Sequence, residues 1–182
     1  DVEAIRAPQA GRDLALALDT RLQYLAFREL KAAIDLHKAK AGGLVILDVK
    51  TGEILALANW PTYNPNRRDK VARDRMRNRA LTDVFEPGSI FKAFTAAAAL
   101  EEKVVHPQER IDCGAGSIQV ADRVIKDAHR HGVLTFTDVI TESSNVGTIK
   151  VAQRLGKARY FHYITAFGFG RKTGVDLPGE IP

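Results

Sequence analysis

The apolar run from Ala93 to Leu100, entered through Glu86-Pro87-Gly88-Ser89-Ile90-Phe91-Lys92, constrains this chain more than any other stretch. Pro87 disfavours helical backbone at Glu86, Gly88 permits an unusual backbone angle, and the run that follows is apolar enough to be buried. The pattern predicts a buried helix with Ser89 in its first turn. Positions i and i+3 share a helix face, so the Lys92 ammonium can reach the Ser89 oxygen. First-turn N–H groups lack intrahelical partners and favour negative charge developing beside Ser89. Burial disfavours a charged lysine, which leaves an amine able to take the serine proton. The same residues also fit an ordinary helix cap beside a solvated lysine.

The rest of the composition mostly excludes. With 182 residues, 45% hydrophobic and 27% charged, the chain has the make-up of a globular domain with a sizeable core. A single cysteine, Cys113, rules out an internal disulfide framework. No stretch approaches the roughly 20 apolar residues that span a bilayer, and the acidic start Asp1-Val2-Glu3 is not a signal peptide, so any anchor is expected outside this sequence. The net charge of +5 resides in one segment, where Arg67, Arg68, Lys70, Arg73, Arg75, Arg77 and Arg79 face only Asp69 and Asp74. No aromatic side chain interleaves these cations for base stacking, so a solvated loop is expected there, with no nucleic acid as partner. Its place just before Ser89 also allows it to border a site that meets an anionic substrate or partner.

Along the chain, Leu14, Leu16 and Leu18 suggest a short strand or extended entry segment. Thr20 and Gln23 fit a capping box for a helix with an apolar stripe of Leu22, Leu25, Ala26, Leu30, Ala33 and Ile34. Ala41-Gly42-Gly43 ends that helical segment. Leu44–Leu47 and Glu53–Ala58, joined through Asp48-Val49-Lys50-Thr51-Gly52, read as a β-hairpin. The first strand is apolar on both faces, which predicts helices on both sides of the sheet. Cys113 to Val133 has the composition of small strands or an ordered loop, with no assignable element. Helical periodicity returns at Thr135–Glu142, at Asn145–Leu155 with Gly156 as its C-cap, and at Lys157–Phe167. The fold class is therefore α+β, an antiparallel sheet flanked by helices.

A second polar constellation, Glu142-Ser143-Ser144-Asn145-Val146-Gly147, interrupts two of those helices. A helix break can aim a hydroxyl and an amide into a cleft, where Ser143 could relay a proton and Asn145 could hold a substrate carbonyl while bonding Lys92. The same residues would serve equally as an N-cap. Ser-x-x-Lys followed 54 residues later by Ser-x-Asn matches two of the three motifs of penicillin-binding proteins and serine β-lactamases. The surrounding segments Ala41-Gly42-Gly43, Thr51-Gly52-Glu53-Ile54-Leu55-Ala56-Leu57-Ala58, Pro61-Thr62-Tyr63-Asn64-Pro65, Arg77-Asn78-Arg79-Ala80, Phe85-Glu86-Pro87-Gly88-Ser89 and Asp127-Ala128-His129 add to the match. Over nearly its full length the chain resembles division-specific class B penicillin-binding proteins of the FtsI type.

That resemblance implies a transpeptidase fold and a D,D-transpeptidase acting on peptidoglycan stem peptides. Ser89 would be the nucleophile, Lys92 the base, Ser143 the proton relay and Asn145 the holder of the substrate amide. It implies acylation by β-lactams, no metal or organic cofactor, a place on the periplasmic face of the bacterial inner membrane, and division-complex partners that include a glycan polymerase. The family's third motif, Lys-Thr/Ser-Gly on an edge strand, is expected further along than this sequence extends. Lys172-Thr173-Gly174 imitates it, but runs into Val175-Asp176-Leu177-Pro178-Gly179-Glu180, a poor edge strand. On this reading residues 1–182 are the N-terminal part of one transpeptidase domain, incomplete at the C-terminus, which alone would acylate weakly or not at all. A D,D-carboxypeptidase or β-lactamase of the same fold is the nearest alternative, although no Glu-x-x-x-Asn loop for deacylating water is evident. A non-catalytic interaction module is a third. His129 and His131 are expected in a solvated loop, and Gly168-Phe169-Gly170 follows a helix, so it is no phosphate cradle.

Overall fold

A computed structural model describes residues 9–67 and 71–181 and divides the chain into two compact units, Asp1–Asp83 and Val84–Pro182. The acidic start and three members of the basic segment, Arg68, Asp69 and Lys70, lie outside the described residues.

In the first unit, helix α1 (Thr20–His37) lies on a hairpin of β1 (Gly42–Leu47) and β2 (Ile54–Trp60), paired antiparallel from Gly42 opposite Trp60 to Leu47 opposite Ile54. Ala26, Leu30 and Ile34, four residues apart, form the buried stripe, while Leu25 and Ala33 at its margins stay exposed. The stripe meets Ala56 and Ala58, whose small side chains let the helix approach the sheet. Burying Leu30 and Ile34 in this way contributes about 1.5–3 kcal/mol each. The predicted capping box is displaced: Asp19 is the N-cap, its carboxylate accepting from the Arg21 and Leu22 amides. Gln23 instead bonds the outer edge of β2, donating to the Leu57 carbonyl at 2.9 Å and accepting from its amide at 2.8 Å. The Asp19 amide takes the Leu55 carbonyl on the same edge, so α1 seals a strand edge that would otherwise be open.

Leu14 and Leu16 are exposed and belong to no strand, so the entry segment is not part of the sheet. Helices also cover the two sheet faces unequally. The 42/44/46 face turns to α1, whereas the opposite face is met by the single turn α2 (Arg79–Thr82) at Gly43 and Asn59, leaving Val45 and Leu47 exposed. The described end of the basic segment, from Arg73 to Arg79, is more ordered than a solvated loop. Arg79 pairs with Asp74 at 2.7 Å and Asp83 at 3.0 Å, and Arg77 pairs with Asp83, so two of its cations are already used within the fold.

In the second unit, a 3-10 turn (Gly88–Phe91) runs into α3 (Lys92–Glu101). Four short strands follow: β3 (Arg110–Asp112), β4 (Ser117–Val120), β5 (Arg123–Lys126) and β6 (Val133–Thr135). β3 pairs antiparallel with β6, and β4 with β5, so the region that carries no readable pattern in sequence is two small ribbons. Helices α4 (Phe136–Thr141), α5 (Asn145–Leu155) and α6 (Lys157–Ala166) close the unit, at positions close to those periodicity predicts. The core unites Ala99, Val105, Ile111, Cys113, Phe136, Val139, Val146 and Val151. α3 is less enclosed than its composition suggests. Lys92, Thr95, Ala98 and Ala99 are buried in it, while Ala93, Ala97 and Leu100 face outward.

Gly147 marks the tightest contact in this core. A Cβ there would lie 2.6 and 2.7 Å from the Val139 methyls and 3.1 Å from Cys113 Sγ. Gly147→Ala is therefore expected to lower stability by about 1–3 kcal/mol despite alanine's better helix propensity. A lower urea midpoint, restored in the Gly147→Ala/Val139→Ala double variant, is the check; an unchanged midpoint would show that α5 shifts freely.

Candidate active site

The site is assembled from three places in the second unit: the 3-10 turn before α3, the break between α4 and α5, and the end of β5. Gly88 has φ +59°, a left-handed angle that lets the chain turn from Pro87 into the 3-10 segment. Ser89 follows on the exposed side of that turn, and its amide lies in a first turn where N–H groups have no intrahelical partner. The helix proper begins at Lys92 rather than at Ser89. Lys92 is buried, with 9% of its surface exposed.

Across from it, α4 stops at Thr141 and α5 starts at Asn145 with Ser144 as N-cap, its hydroxyl accepting from the Gly147 amide. Ser143 lies between them with φ +57°. For a residue with a Cβ this left-handed geometry costs about 1–2 kcal/mol, and such strain persists where surrounding contacts enforce it. Its effect is to turn the Ser143 hydroxyl back toward α3. Lys92 Nζ donates to Ser143 Oγ at 2.9 Å and to the Ser143 carbonyl at 2.5 Å, and Ser143 Oγ donates to Ser89 Oγ at 3.0 Å.

The three residues are thus brought together, with one difference from the sequence-based expectation. Lys92 does not bond Ser89 directly; Ser143 stands between them. Burial pushes the Lys92 ammonium below its ordinary range, opposed in part by the negative charge of Asp127. The lysine is correspondingly closer to a usable base at neutral pH.

Asn145 also departs from expectation, because its amide does not reach Lys92. Its Nδ2 donates to the Lys126 carbonyl at 2.8 Å, which ties the start of α5 to the end of β5. The same junction holds the residue whose role sequence reasoning missed. Asp127 accepts from the amides of Asn145 at 2.5 Å and Val146 at 3.0 Å, and from the buried Ser144 hydroxyl at 2.7 Å. A carboxylate on the first N–H groups of a helix satisfies donors that have no intrahelical partner and complements the helix dipole. Its partners lie 17 to 19 residues away in sequence, so no local pattern announces it.

The remaining candidates lie elsewhere. Lys172-Thr173-Gly174 is in an irregular segment, where Glu180 accepts from the Thr173 amide and hydroxyl, each at 2.6 Å. His129 is exposed and His131 half-buried, with ring centroids 6.5 Å apart. Among the described residues, no helix is long and apolar enough to cross a membrane.

A helix-borne lysine linked through a second serine to an exposed serine, in a mixed α/β fold, defines a candidate serine acyl-transfer site. Residues 42–182 match the family model described as penicillin binding protein transpeptidase domain, and the chain belongs to that family. It is 39% identical over 181 residues to the probable peptidoglycan D,D-transpeptidase PbpC of Pseudomonas aeruginosa, covering 100% of this chain and 32% of that protein. It is 42% identical over 172 residues to the peptidoglycan D,D-transpeptidase FtsI of Escherichia coli K12, covering 94% of this chain and 29% of the relative. Among solved structures, a peptidoglycan glycosyltransferase from Burkholderia ambifaria aligns with a TM-score of 0.80 and 40% identity, covering 92% of this chain and 49% of that one. The transpeptidase domain of Burkholderia pseudomallei penicillin-binding protein 3 aligns at 0.79 and 36%, covering 95% and 48%. The chain therefore spans about a third of the curated relatives it matches.

Proposed function

We propose that this chain carries the nucleophile, base and proton relay of a septal peptidoglycan D,D-transpeptidase that is also acylated by β-lactams. The observation that supports the reading most directly is the unbroken sequence of hydrogen bonds from Lys92 through Ser143 to Ser89.

Hydroxyl hydrogens rotate to suit their partners, so with Lys92 neutral the chain of donors can run the other way. Ser89 then donates to Ser143, and Ser143 to Lys92. As Ser89 Oγ bonds the carbonyl carbon of the penultimate D-Ala of a stem peptide, its proton moves along this path to Lys92. The free first-turn amide of Ser89 stabilises the oxyanion. Collapse breaks the peptide C–N bond, and the proton held by Lys92 returns through Ser143 to the departing D-Ala amine. An amine of a neighbouring stem peptide then attacks the ester carbonyl, giving a proton to the now neutral Lys92. The ester C–O bond breaks, the proton returns through Ser143 to Ser89 Oγ, and the new amide is the cross-link. Asn145, fixed at the mouth of α5, orients the acyl group's amide. The relatives' printed activities support the substrate class; the division-complex setting, a glycan polymerase partner and the periplasmic location rest on the resemblance to the FtsI type alone.

The test is fluorescent penicillin with the full-length protein. One equivalent of label on Ser89, released slowly and absent from Ser89→Ala, is expected. Rapid turnover of the drug would favour a hydrolase of the same fold and overturn the transpeptidase reading.

A further inference from the structure

The 3-10 turn that presents Ser89 makes little use of the core beneath α3. Its inner side chain, Phe91, lies between Ser89 and Lys92 and is held by rings from elsewhere in the second unit. Phe91 meets Phe169 with centroids 5.0 Å apart, Tyr160 edge-on at 6.4 Å and Phe94 at 5.7 Å. Phe94, one turn along, meets Phe169 and Phe167 edge-on, each at 5.0 Å. Such tilted and edge-to-face pairs have preferred geometry, so the cluster fixes orientation as well as burying area.

The way Phe169 is placed argues that this is more than packing. Helix α6 ends in a left-handed turn at Gly168, φ +91°, with the Phe169 amide bonding back to the Ile164 carbonyl at 3.2 Å. This closure is a helix C-terminal motif in which glycine supplies the left-handed angle, and it sets the residue after the glycine at a defined position. Tyr160 adds a polar tie, its hydroxyl lying 2.8 Å from Thr95 Oγ1 on the buried face of α3. Two independent contacts from α6 and its end thus converge on the junction between the 3-10 turn and α3. That junction sets the rotation of Ser89 relative to Lys92.

We propose that Phe169 and Tyr160 are positioning residues for the nucleophile: the terminus of α6 holds Phe91, and through it the 3-10 turn, in the register that keeps Ser89 Oγ within reach of Ser143. The inference rests on the acyl-transfer reading given above. A displacement of about 1 Å at a reacting group can lower the rate by roughly a hundredfold. A loosened turn therefore slows acylation, while the pre-acylation complex still forms.

The experiment measures, in the full-length protein, the rate constant of Ser89 acylation by benzylpenicillin separately from the dissociation constant of the non-covalent complex. Phe169→Ala is expected to lower the acylation rate constant about tenfold to a hundredfold with the dissociation constant within about twofold. Phe169→Tyr, which keeps the ring, is expected to recover most of the rate. Tyr160→Phe, which removes only the hydroxyl, is expected to slow acylation severalfold at an unchanged unfolding midpoint, and it decides the matter if Phe169→Ala does not fold. Unaltered acylation in Tyr160→Phe and in folded Phe169→Ala overturns the inference, as does a loss in Phe169→Ala that appears wholly in the dissociation constant. Wild-type protein unlabelled at Ser89 overturns the underlying functional reading instead, and the two failures are thereby distinct.

Discussion

Replacing Lys92 by methionine is expected to slow penicillin acylation of Ser89 by about a hundredfold to ten-thousandfold, the range associated with loss of a general base. Methionine keeps much of the apolar stem that Lys92 lays through the buried face of α3, so the fold has little reason to collapse. Lys92→Arg is expected to be as inactive, because a guanidinium retains its proton across the accessible pH range and cannot receive one from serine. The wild-type pH profile follows from the direction of the lysine shift. Only neutral Lys92 accepts a proton, so the acylation rate rises with pH through the lysine pKa and levels off above it. Because burial lowers that pKa, the rising limb falls below the range of an ordinary lysine. Stopped-flow acylation across the pH range checks the point. A rate independent of pH, or full activity in Lys92→Arg, would sink the assignment of Lys92 as base.

The elements most legible in sequence are those whose signal is local and periodic. The stripe Ala26, Leu30, Ile34 repeats every helical turn, and Asn145–Leu155 ends at a glycine with φ +79°, so α1 and α5 follow directly from pattern. The hairpin is equally plain because two apolar runs flank Asp48-Val49-Lys50-Thr51-Gly52. Strands of three or four residues, as in β3 to β6, are too short to show a period and take shape only through their partners. Gln23 shows how local reading misleads. Its spacing from Thr20 suits a capping box, yet the open edge of β2 offers its amide a donor and an acceptor together. At the site, residue types and spacing pointed to Ser89, Lys92, Ser143 and Asn145, and the structure brings the first three into one hydrogen-bonded chain. What spacing could not convey was connectivity. The left-handed angle at Ser143 places its hydroxyl between lysine and serine, and a backbone angle of that kind has no signature in a non-glycine residue.

Asp127→Ala is expected to damage stability and chemistry together, and comparison with Asp127→Asn separates the two. In the alanine variant the Asn145 and Val146 amides and the buried Ser144 hydroxyl lose their shared acceptor, at a cost of about 2–4 kcal/mol for a charged hydrogen-bonding group with several partners. The start of α5 then loosens next to Ser143. The relay through Ser143 and the amide of Asn145 lose their fixed positions, and acylation falls by an order of magnitude or more. Asparagine retains a side-chain oxygen for the two backbone amides, so Asp127→Asn is expected to recover most of the stability. It does remove the negative charge that raises the Lys92 pKa. Without that charge the lysine loses its proton at lower pH, and the rising limb of the acylation profile moves toward acid. A purely structural role for Asp127 would leave that limb in place, whereas an acid shift in Asp127→Asn, alongside a lowered unfolding midpoint confined to Asp127→Ala, ties one carboxylate both to the cap of α5 and to the basicity of the lysine that activates Ser89.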